Sequence, residues 1–453
     1  MQKIVIIGNG ISGVTAARHL RKLGKDSITI ISEETQHFFS RTALMYVYMG
    51  HMKFEHTKPY EDGFWAKNRI DLVQDRVEQI DYESKSLSMK SGTPIQYDVL
   101  VLALGSKPNK FGWPGQDLDG VQGLYSFQDL ELLEKNTHKP FAEGAAKKVK
   151  RAVIVGGGLI GVELAEMLLT RGIEVTFLVR EDRFWGNVLP LEEGEMVSRH
   201  MFEHHVDLRL KSELKEILSD ENGRARAVVT NTGETIECQV VGLTAGVSPN
   251  ISFIKDGALE TQRGIIVNEY LETNQTDVFA IGDCAQFSTA PPGRRAIEQV
   301  WYTGRMMGEV VAHNIAGKKQ KYAPGHWFNS AKFFDIEYQT YGVVASNPVE
   351  GEASFYWEDK GGKIGVRLVF ALEGRTLIGI NTFGIRMRHN LIDRWLNEGR
   401  SIEYVLGHLR SANFDPEFFK TYEAEIVAHF NLEFNTQIQL TKKSWRQILN
   451  LAK

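Results

Sequence analysis

Short, densely apolar runs alternate along the chain with longer amphipathic stretches. Lys3-Ile4-Val5-Ile6-Ile7 is rich in β-branched residues and stops at a glycine, which predicts a strand buried on both faces. The glycine-spaced segment Gly8-Asn9-Gly10-Ile11-Ser12-Gly13 follows, and residues 14–23 then carry apolar side chains at helical spacing up to Gly24. Residues 27–32 predict a second buried strand, closed by Glu33 and Glu34. The same order recurs downstream. Residues 152–155 predict a strand, Gly156-Gly157-Gly158-Leu159-Ile160-Gly161 a turn, 162–170 a helix that ends at Gly172, and 174–179 the next strand. Further buried strands are predicted where apolar runs end in Ala103-Leu104-Gly105, in Thr244-Ala245-Gly246 and in Gly282-Asp283.

Each copy has the local chemistry of a dinucleotide site. The first glycine permits a tight turn, the second lets the backbone approach a pyrophosphate, and the third allows a helix to pack closely on the strand. The helix start presents N–H groups and partial positive charge to phosphate. An acid about 20 residues after the turn, here Glu33, can hydrogen-bond a ribose diol. One such turn by itself is consistent with a bare glycine loop. Two copies in full strand–turn–helix–strand context predict two bound dinucleotides, and hydride transfer from a nicotinamide to a flavin is the simplest chemistry that uses both. Asp283, at a strand end, has two readings: an acceptor for a sugar-alcohol hydroxyl, or a turn or helix cap.

Composition narrows the class. With 453 residues, roughly three domains of about 150 residues are expected. Forty-two glycines against twelve prolines favour tight turns over disordered linkers, and 42% hydrophobic with 24% charged residues excludes a disordered or collagen-like chain. The longest apolar runs fall well short of the about 18 residues of a membrane span. A strand starting at the third residue leaves no room for a secretory signal, so a cytoplasmic location is expected. Cys238 and Cys284 cannot build a disulfide framework or a cysteine zinc cluster, and no metal site is assigned. Fifty-three basic against 57 acidic residues leave no footprint for nucleic acid.

The order of the two glycine turns, the ending Ala103-Leu104-Gly105, and Val278-Phe279-Ala280-Ile281-Gly282-Asp283 together resemble the FAD-dependent pyridine nucleotide oxidoreductases, the superfamily of glutathione reductase. The resemblance covers residues 1–325 through specific motifs and 326–395 more loosely, beginning with His326-Trp327-Phe328-Asn329-Ser330. Within the superfamily, Glu33-Glu34-Thr35-Gln36-His37-Phe38-Phe39-Ser40-Arg41 is similar to a segment of ferredoxin and rubredoxin reductases, nitrite-reductase flavin domains and apoptosis-inducing factor. The resemblance implies an α/β fold with two Rossmann-like, glutathione-reductase-type domains. FAD would occupy 1–110 with 247–325, and NAD(P)H 111–246. An α+β C-terminal interface domain would take 326–395 and a helical tail 396–453, with helices over 401–409 and 416–430. It further implies Glu33 and Glu34 near the adenosine ribose, Arg41 on the pyrophosphate and the Val77 backbone on adenine. Ala103, Gly105, Gly282 and Asp283 would complete the FAD cradle, with Glu298, Gln299 and Val300 opening a helix under the flavin ring. Gly156, Gly158, Leu159, Ile160, Gly161, Ala245 and Gly246 would hold the nicotinamide nucleotide, with Glu163 positioning its ring; a plainer account of Glu163 is an acid favoured by the helix dipole.

Departures from that family shape the functional reading. Residues 35–60 contain no cysteine, where disulfide reductases carry a redox pair, and Cys238 and Cys284 read as structural. Met45-Tyr46 stands where ferredoxin reductases have Ser-Lys, Asn329 where relatives have Trp, and Leu104 where the family has Thr. The implied activity is an NAD(P)H oxidoreductase that passes electrons through FAD to a ferredoxin, a rubredoxin or another iron–sulfur partner. Two alternatives stay open. One is a type II NADH:quinone reductase peripheral to the inner face of a membrane, motivated by Trp445, Ile448, Leu449 and Ala452 at helical spacing among Lys442, Lys443, Arg446 and Lys453. The other is a slow-turnover redox sensor. A homodimer is a further reading. After Val179, Arg180 and Arg183 suit a 2′-phosphate while Glu181 would repel it or hold a diol, so the reading leans to NADPH with dual use.

Overall fold

In the computed structural model, residues 1–137, 149–255 and 257–441 are described. The basic amphipathic stretch read at 442–453 lies outside them. The chain divides into two compact units, Met1–Arg180 with His205–Pro324, and Glu181–His204 with the chain from Gly325 onward.

The first unit holds two parallel five-stranded sheets. One has the order Val278–Ala280, Val99–Leu102, Lys3–Ile7, Ser27–Ser32, Ile70–Gln74. Its central strand buries Ile4 to Ile7 and pairs Ile7 with both Ile31 and Leu102, which is why the apolar run does not alternate. The other has the order Asp207–Arg209, Glu174–Leu178, Arg151–Val155, Val240–Leu243, Val121–Gln122. These are the two Rossmann-like sheets that the sequence pattern implies, each with its glycine turn after the central strand.

Both turn helices begin three residues earlier than the apolar spacing predicts. They span Ile11–Leu23 and Leu159–Thr170, because the Val14 N–H already donates to the Gly10 carbonyl at 3.0 Å and that of Val162 to Gly158 at 3.3 Å. The last glycine of each turn thus lies inside the helix. Helix Trp301–Ile315 packs on the first of them so closely that a Cβ at Gly308 would lie 2.5 Å from the Ser12 carbonyl oxygen.

The second unit is built on an antiparallel sheet of order Phe328–Phe333, Ile336–Gly342, Leu377–Phe383, Gly365–Ala371, Glu352–Glu358. Helix Leu191–Glu203 is tied to it by charge. Arg367 donates to Glu193 Oε1 at 2.8 Å and to Glu192 Oε2 at 2.6 Å, and Asn381 donates to Glu193 Oε2 at 2.8 Å. Glu193 is fully buried, and a carboxylate tolerates that only with its lone pairs satisfied in this way.

Helices His389–Asn397, Ile402–Gly407, Leu409–Ala412 and Glu423–Phe434 complete this unit. The tail is helical as read, with two corrections. The stretch expected at 401–409 is broken at His408 into two short helices, and the one expected at 416–430 starts only at Glu423 and runs on to Phe434. Pro416 resembles a helix-start signal, but the residues that reach the core are Ile426, Val427 and Phe430, and their spacing sets the helix. Phe430 has no exposed surface and packs its ring 5.1 Å from Phe355, 5.9 Å from Phe370 and 4.6 Å from Phe434.

Phe430→Ala is expected to cost about 3–5 kcal/mol, the usual loss for a buried aromatic ring. Chemical denaturation of the purified protein measures it. A loss below about 1 kcal/mol would mean that the tail adds little to this core.

Candidate functional site

The two glycine turns have the same construction. Gly8 and Gly156 adopt φ of +112° and +114°, a region that side chains with a Cβ avoid. A Cβ at Gly8 would lie 2.1 Å from the Ala103 carbonyl oxygen, and one at Gly156 2.7 Å from the Ala245 backbone. The third glycines are closed in as well: a Cβ at Gly13 would lie 2.1 Å from the Gly8 carbonyl oxygen, and one at Gly161 2.5 Å from the Phe177 ring. The middle glycines differ. At Gly10 and at Gly158, apart from the adjoining residues of the turn itself, no described protein atom lies within 4 Å of where a Cβ would be. Each turn therefore presents bare backbone to open space at the start of a helix. A pyrophosphate fits such a place, drawn by the N–H groups and dipole of the helix end.

Around the first turn, Ser32 Oγ donates to Asn9 Oδ1 at 3.0 Å and Asn9 Nδ2 to the Thr35 carbonyl at 2.7 Å, so Asn9 fastens the turn to the end of the neighbouring strand. Glu33 follows that strand with its side chain 59% exposed, 3.7 Å from Arg76 Nε. Its neighbour Glu34 is spoken for. The Glu34 carboxylate accepts two bonds from Arg41, at 2.8 and 2.6 Å, and a third from the Phe127 N–H at 2.8 Å. Arg41 also donates to the Tyr125 carbonyl at 2.5 Å and lies over the Tyr125 ring, 4.5 Å from its centre. Burial works against charge at Arg41, yet the bonds from Glu34 outweigh it and hold its pKa above the ordinary value.

The same network reaches the opposite edge of the sheet. Asp283 Oδ2 accepts from Ser106 Oγ at 3.1 Å, Ser106 N–H donates to Tyr125 Oη at 2.9 Å, and Gln299 Nε2 donates to Ser106 Oγ at 2.7 Å. Burial pushes the Asp283 carboxyl above its usual range, against the pull of Ser106, Arg41 and Tyr125, and pushes the Tyr125 phenol up to about 12. A Cβ at Gly282 would meet Ser12 Oγ at 2.6 Å, which sets Gly282-Asp283 beside the start of the first helix. The fold thus gathers Gly8, Asn9, Gly10, Ile11, Ser12, Gly13, Ala103, Gly105, Arg41, Gly282, Asp283 and Gln299. Ser106, Tyr125 and the pairing of Glu34 with Arg41 were missed in the sequence. Ser106 at least follows directly on Gly105; Tyr125 belongs to no motif.

Other candidates are placed differently. Val77 opens strand Val77–Asp81 and is buried. Glu298 turns inward to Arg294, with two bonds of 2.6 Å and side-chain exposures of 2% and 3%, so its carboxylate braces the 293–300 segment. Val300 caps helix Trp301–Ile315. Both thiols are buried, Cys284 against the Leu104 N–H and the Ile281 carbonyl, and burial pushes each up to about 12. Neither supplies thiolate near neutral pH.

At the second turn, Leu159 and Ile160 open the helix and Glu163 stands half-buried one turn in. Ala245 abuts Gly156, and Asn109 Nδ2 donates to the Ala245 carbonyl at 3.3 Å. Gly246 follows with φ +84°. Arg180 is exposed and closes the first part of the first unit, whereas Glu181 and Arg183 belong to the second. There Arg183 donates to the carbonyls of Gly186 and Ser346, each at 3.2 Å, and Glu181 accepts from Asn187 at 3.0 Å.

Comparison with known proteins places this geometry. Rhodocoxin reductase of Rhodococcus erythropolis is 28% identical over 84% of this chain and 86% of its own length. The rubredoxin-NAD(+) reductase of Pseudomonas putida is 28% identical over 69% of this chain and 80% of its own. The solved ferredoxin reductase for the CYP199A2 system of Rhodopseudomonas palustris has the same fold, with a TM-score of 0.75 at 24% identity over 85% of this chain and 91% of that one. Residues 2–308 match the pyridine nucleotide-disulphide oxidoreductase family, and the chain belongs to it.

Proposed function

We propose that this protein is an FAD-dependent NAD(P)H oxidoreductase that delivers electrons to a small redox protein of the rubredoxin or ferredoxin kind. The observation that carries the reading is the pair of glycine turns, each open only at its middle glycine, in a chain whose thiols are buried and unactivated. The names of the rhodocoxin and rubredoxin reductases it resembles support the class of acceptor. A flavin held there would supply the redox chemistry, coupling two-electron hydride acceptance from a nicotinamide to electron release toward the acceptor.

The chain's own residues bind and orient. Gly8 to Gly13 would receive the FAD pyrophosphate, and Arg41, held in place by Glu34 and Tyr125, would set a fixed positive charge beside it. Glu33 would accept from the adenosine ribose, Val77 would meet adenine through its backbone, and Ala103 with Gly105 would line the cradle. Asp283, kept in line by Ser106, would take a sugar-alcohol hydroxyl, and Gln299 with Val300 would lie under the ring system. Gly156 to Gly161, with Ala245 and Gly246, would hold the nicotinamide nucleotide, and Glu163 would orient it. On this reading 1–110 with 247–325 form the FAD domain, 111–246 the NAD(P)H domain, 326–395 the interface domain and 396–453 the tail. No described helix is long and apolar enough to cross a membrane. A cytoplasmic location, a membrane surface reached through 442–453, and a homodimer are readings of the sequence that belong to this proposal.

The purified protein is expected to be yellow and to reduce a rubredoxin or a [2Fe–2S] ferredoxin with NADH or NADPH. Glu33→Ala should weaken FAD retention by about 1.5–3 kcal/mol, the worth of a charge-assisted hydrogen bond. Colourless protein that takes up no added FAD would refute the reading. A Cys238→Ala, Cys284→Ala double variant should keep NAD(P)H-dependent reduction of artificial acceptors. Lost activity with normal FAD content would reveal a thiol relay. The nicotinamide preference rests on Arg180. Arg180→Ala should raise KM for NADPH more than for NADH, and equal effects on both would remove the case for a bound 2′-phosphate.

A further inference from the structure

Helix Leu191–Glu203 carries His200 near its end, and His204 follows one turn later, so both imidazoles project from one face. Asp335 lies in the tight turn between strands Phe328–Phe333 and Ile336–Gly342, in the same compact unit. The Nε2 atoms of both histidines face one carboxylate oxygen, Asp335 Oδ1, with His204 at 3.2 Å and His200 in closer contact. The three potential ligand atoms lie within 4.8 Å of one another.

Each ring is aimed by something other than Asp335. His200 is almost fully buried, with its Nδ1 3.3 Å from Glu203 Oε2. The ring of His204 stacks on Phe334, 4.3 Å between centres and 8° from parallel. Lys363 Nζ sits 3.6 Å from the other Asp335 oxygen and 3.4 Å from Glu203 Oε2, which balances the outer carboxylate charge and leaves Oδ1 to the histidines. Two ring nitrogens converging on one carboxylate oxygen need a bridge to it, either an N–H proton on each ring or one divalent ion shared by all three atoms. An N₂O set with histidines four residues apart suits zinc and its neighbours in the transition series. A carboxylate on the far nitrogen of a ligating imidazole is the usual way to fix its tautomer and raise its basicity. His204 and Asp335 remain partly exposed, at 38% and 62%, so an ion can enter and keep a water ligand.

We propose that His200, His204 and Asp335 form a site for a zinc-class divalent cation. The ion pins the C-terminal turn of helix Leu191–Glu203 to the 334–335 turn, while Arg367 holds the opposite end of the helix through Glu192 and Glu193. The site stands independently of the flavin chemistry.

The test uses full-length, FAD-loaded, tag-free protein, stripped with a chelator and titrated with zinc chloride by calorimetry and thermal unfolding. One zinc per chain and a higher Tm are expected, with magnesium giving neither. His204→Ala and Asp335→Asn should each weaken zinc binding about tenfold or more and abolish the Tm rise. Because both residues are partly exposed, the metal-free variants should unfold near the metal-free parent, which separates lost binding from lost folding. No binding by the parent would overturn the proposal and assign the cluster to proton-mediated hydrogen bonds. Unchanged binding in both variants would overturn it too, by moving the zinc elsewhere.

Discussion

Everything at the first glycine turn depends on backbone running where no side chain fits. A single methyl group at Gly8 would have to stand 2.1 Å from the Ala103 carbonyl, and one at Gly13 equally close to Gly8 itself. That approach lets helix Ile11–Leu23 start directly above the end of strand Lys3–Ile7, and so points the helix dipole over the carboxyl ends of the parallel strands. Ligands of open α/β sheets bind at that edge. The second sheet repeats the device with Gly156 against Ala245 and Gly161 against Phe177. One steric rule used twice positions two nucleotide cradles in one compact unit.

Fixed polar groups then complete what the turn begins. Arg41 would be a long, mobile cation if left alone. Two bonds to Glu34, a third to the Tyr125 carbonyl and the Tyr125 ring beneath it remove most of that freedom before any ligand arrives. Such preorganisation lowers the entropy cost of binding. Asp283, Ser106 and Gln299 form a comparable chain at the other edge, where burial raises the cost of leaving the Asp283 carboxyl without donors. Burial raises the pKa of both thiols well above neutral pH, so the cradle is organised by charge and hydrogen bonding rather than by redox-active sulfur.

In the second unit the ordering role passes to helix Leu191–Glu203. Its first turn is locked by the buried Glu193 and Arg367 pair, and its last turn meets Asp335 through His200 and His204. Charged groups at both ends of one helix, rather than a broad apolar face alone, fix its position on the antiparallel sheet.

The sequence by itself determined the parts that a local rule can specify. β-branched runs read as buried strands, glycine spacing as turns and 3.6-residue periodicity as helices, and the two repeats of that order were enough to reach the fold and the family. Where a helix began was less legible, because the turn glycines already belong to it, and Pro416 imitated a start that the core contacts of Ile426 and Phe430 moved to Glu423. Tertiary structure alone decided which partner each polar side chain meets. Glu33 and Glu34 are adjacent and chemically alike, yet one stays largely exposed and the other clamps Arg41. Tyr125 and Ser106 join the site from outside any motif, and Asp335 meets His200 across more than a hundred residues of chain. Periodicity records which face a residue occupies. It carries no record of what that face will touch, because such contacts form between segments whose separation along the chain is arbitrary.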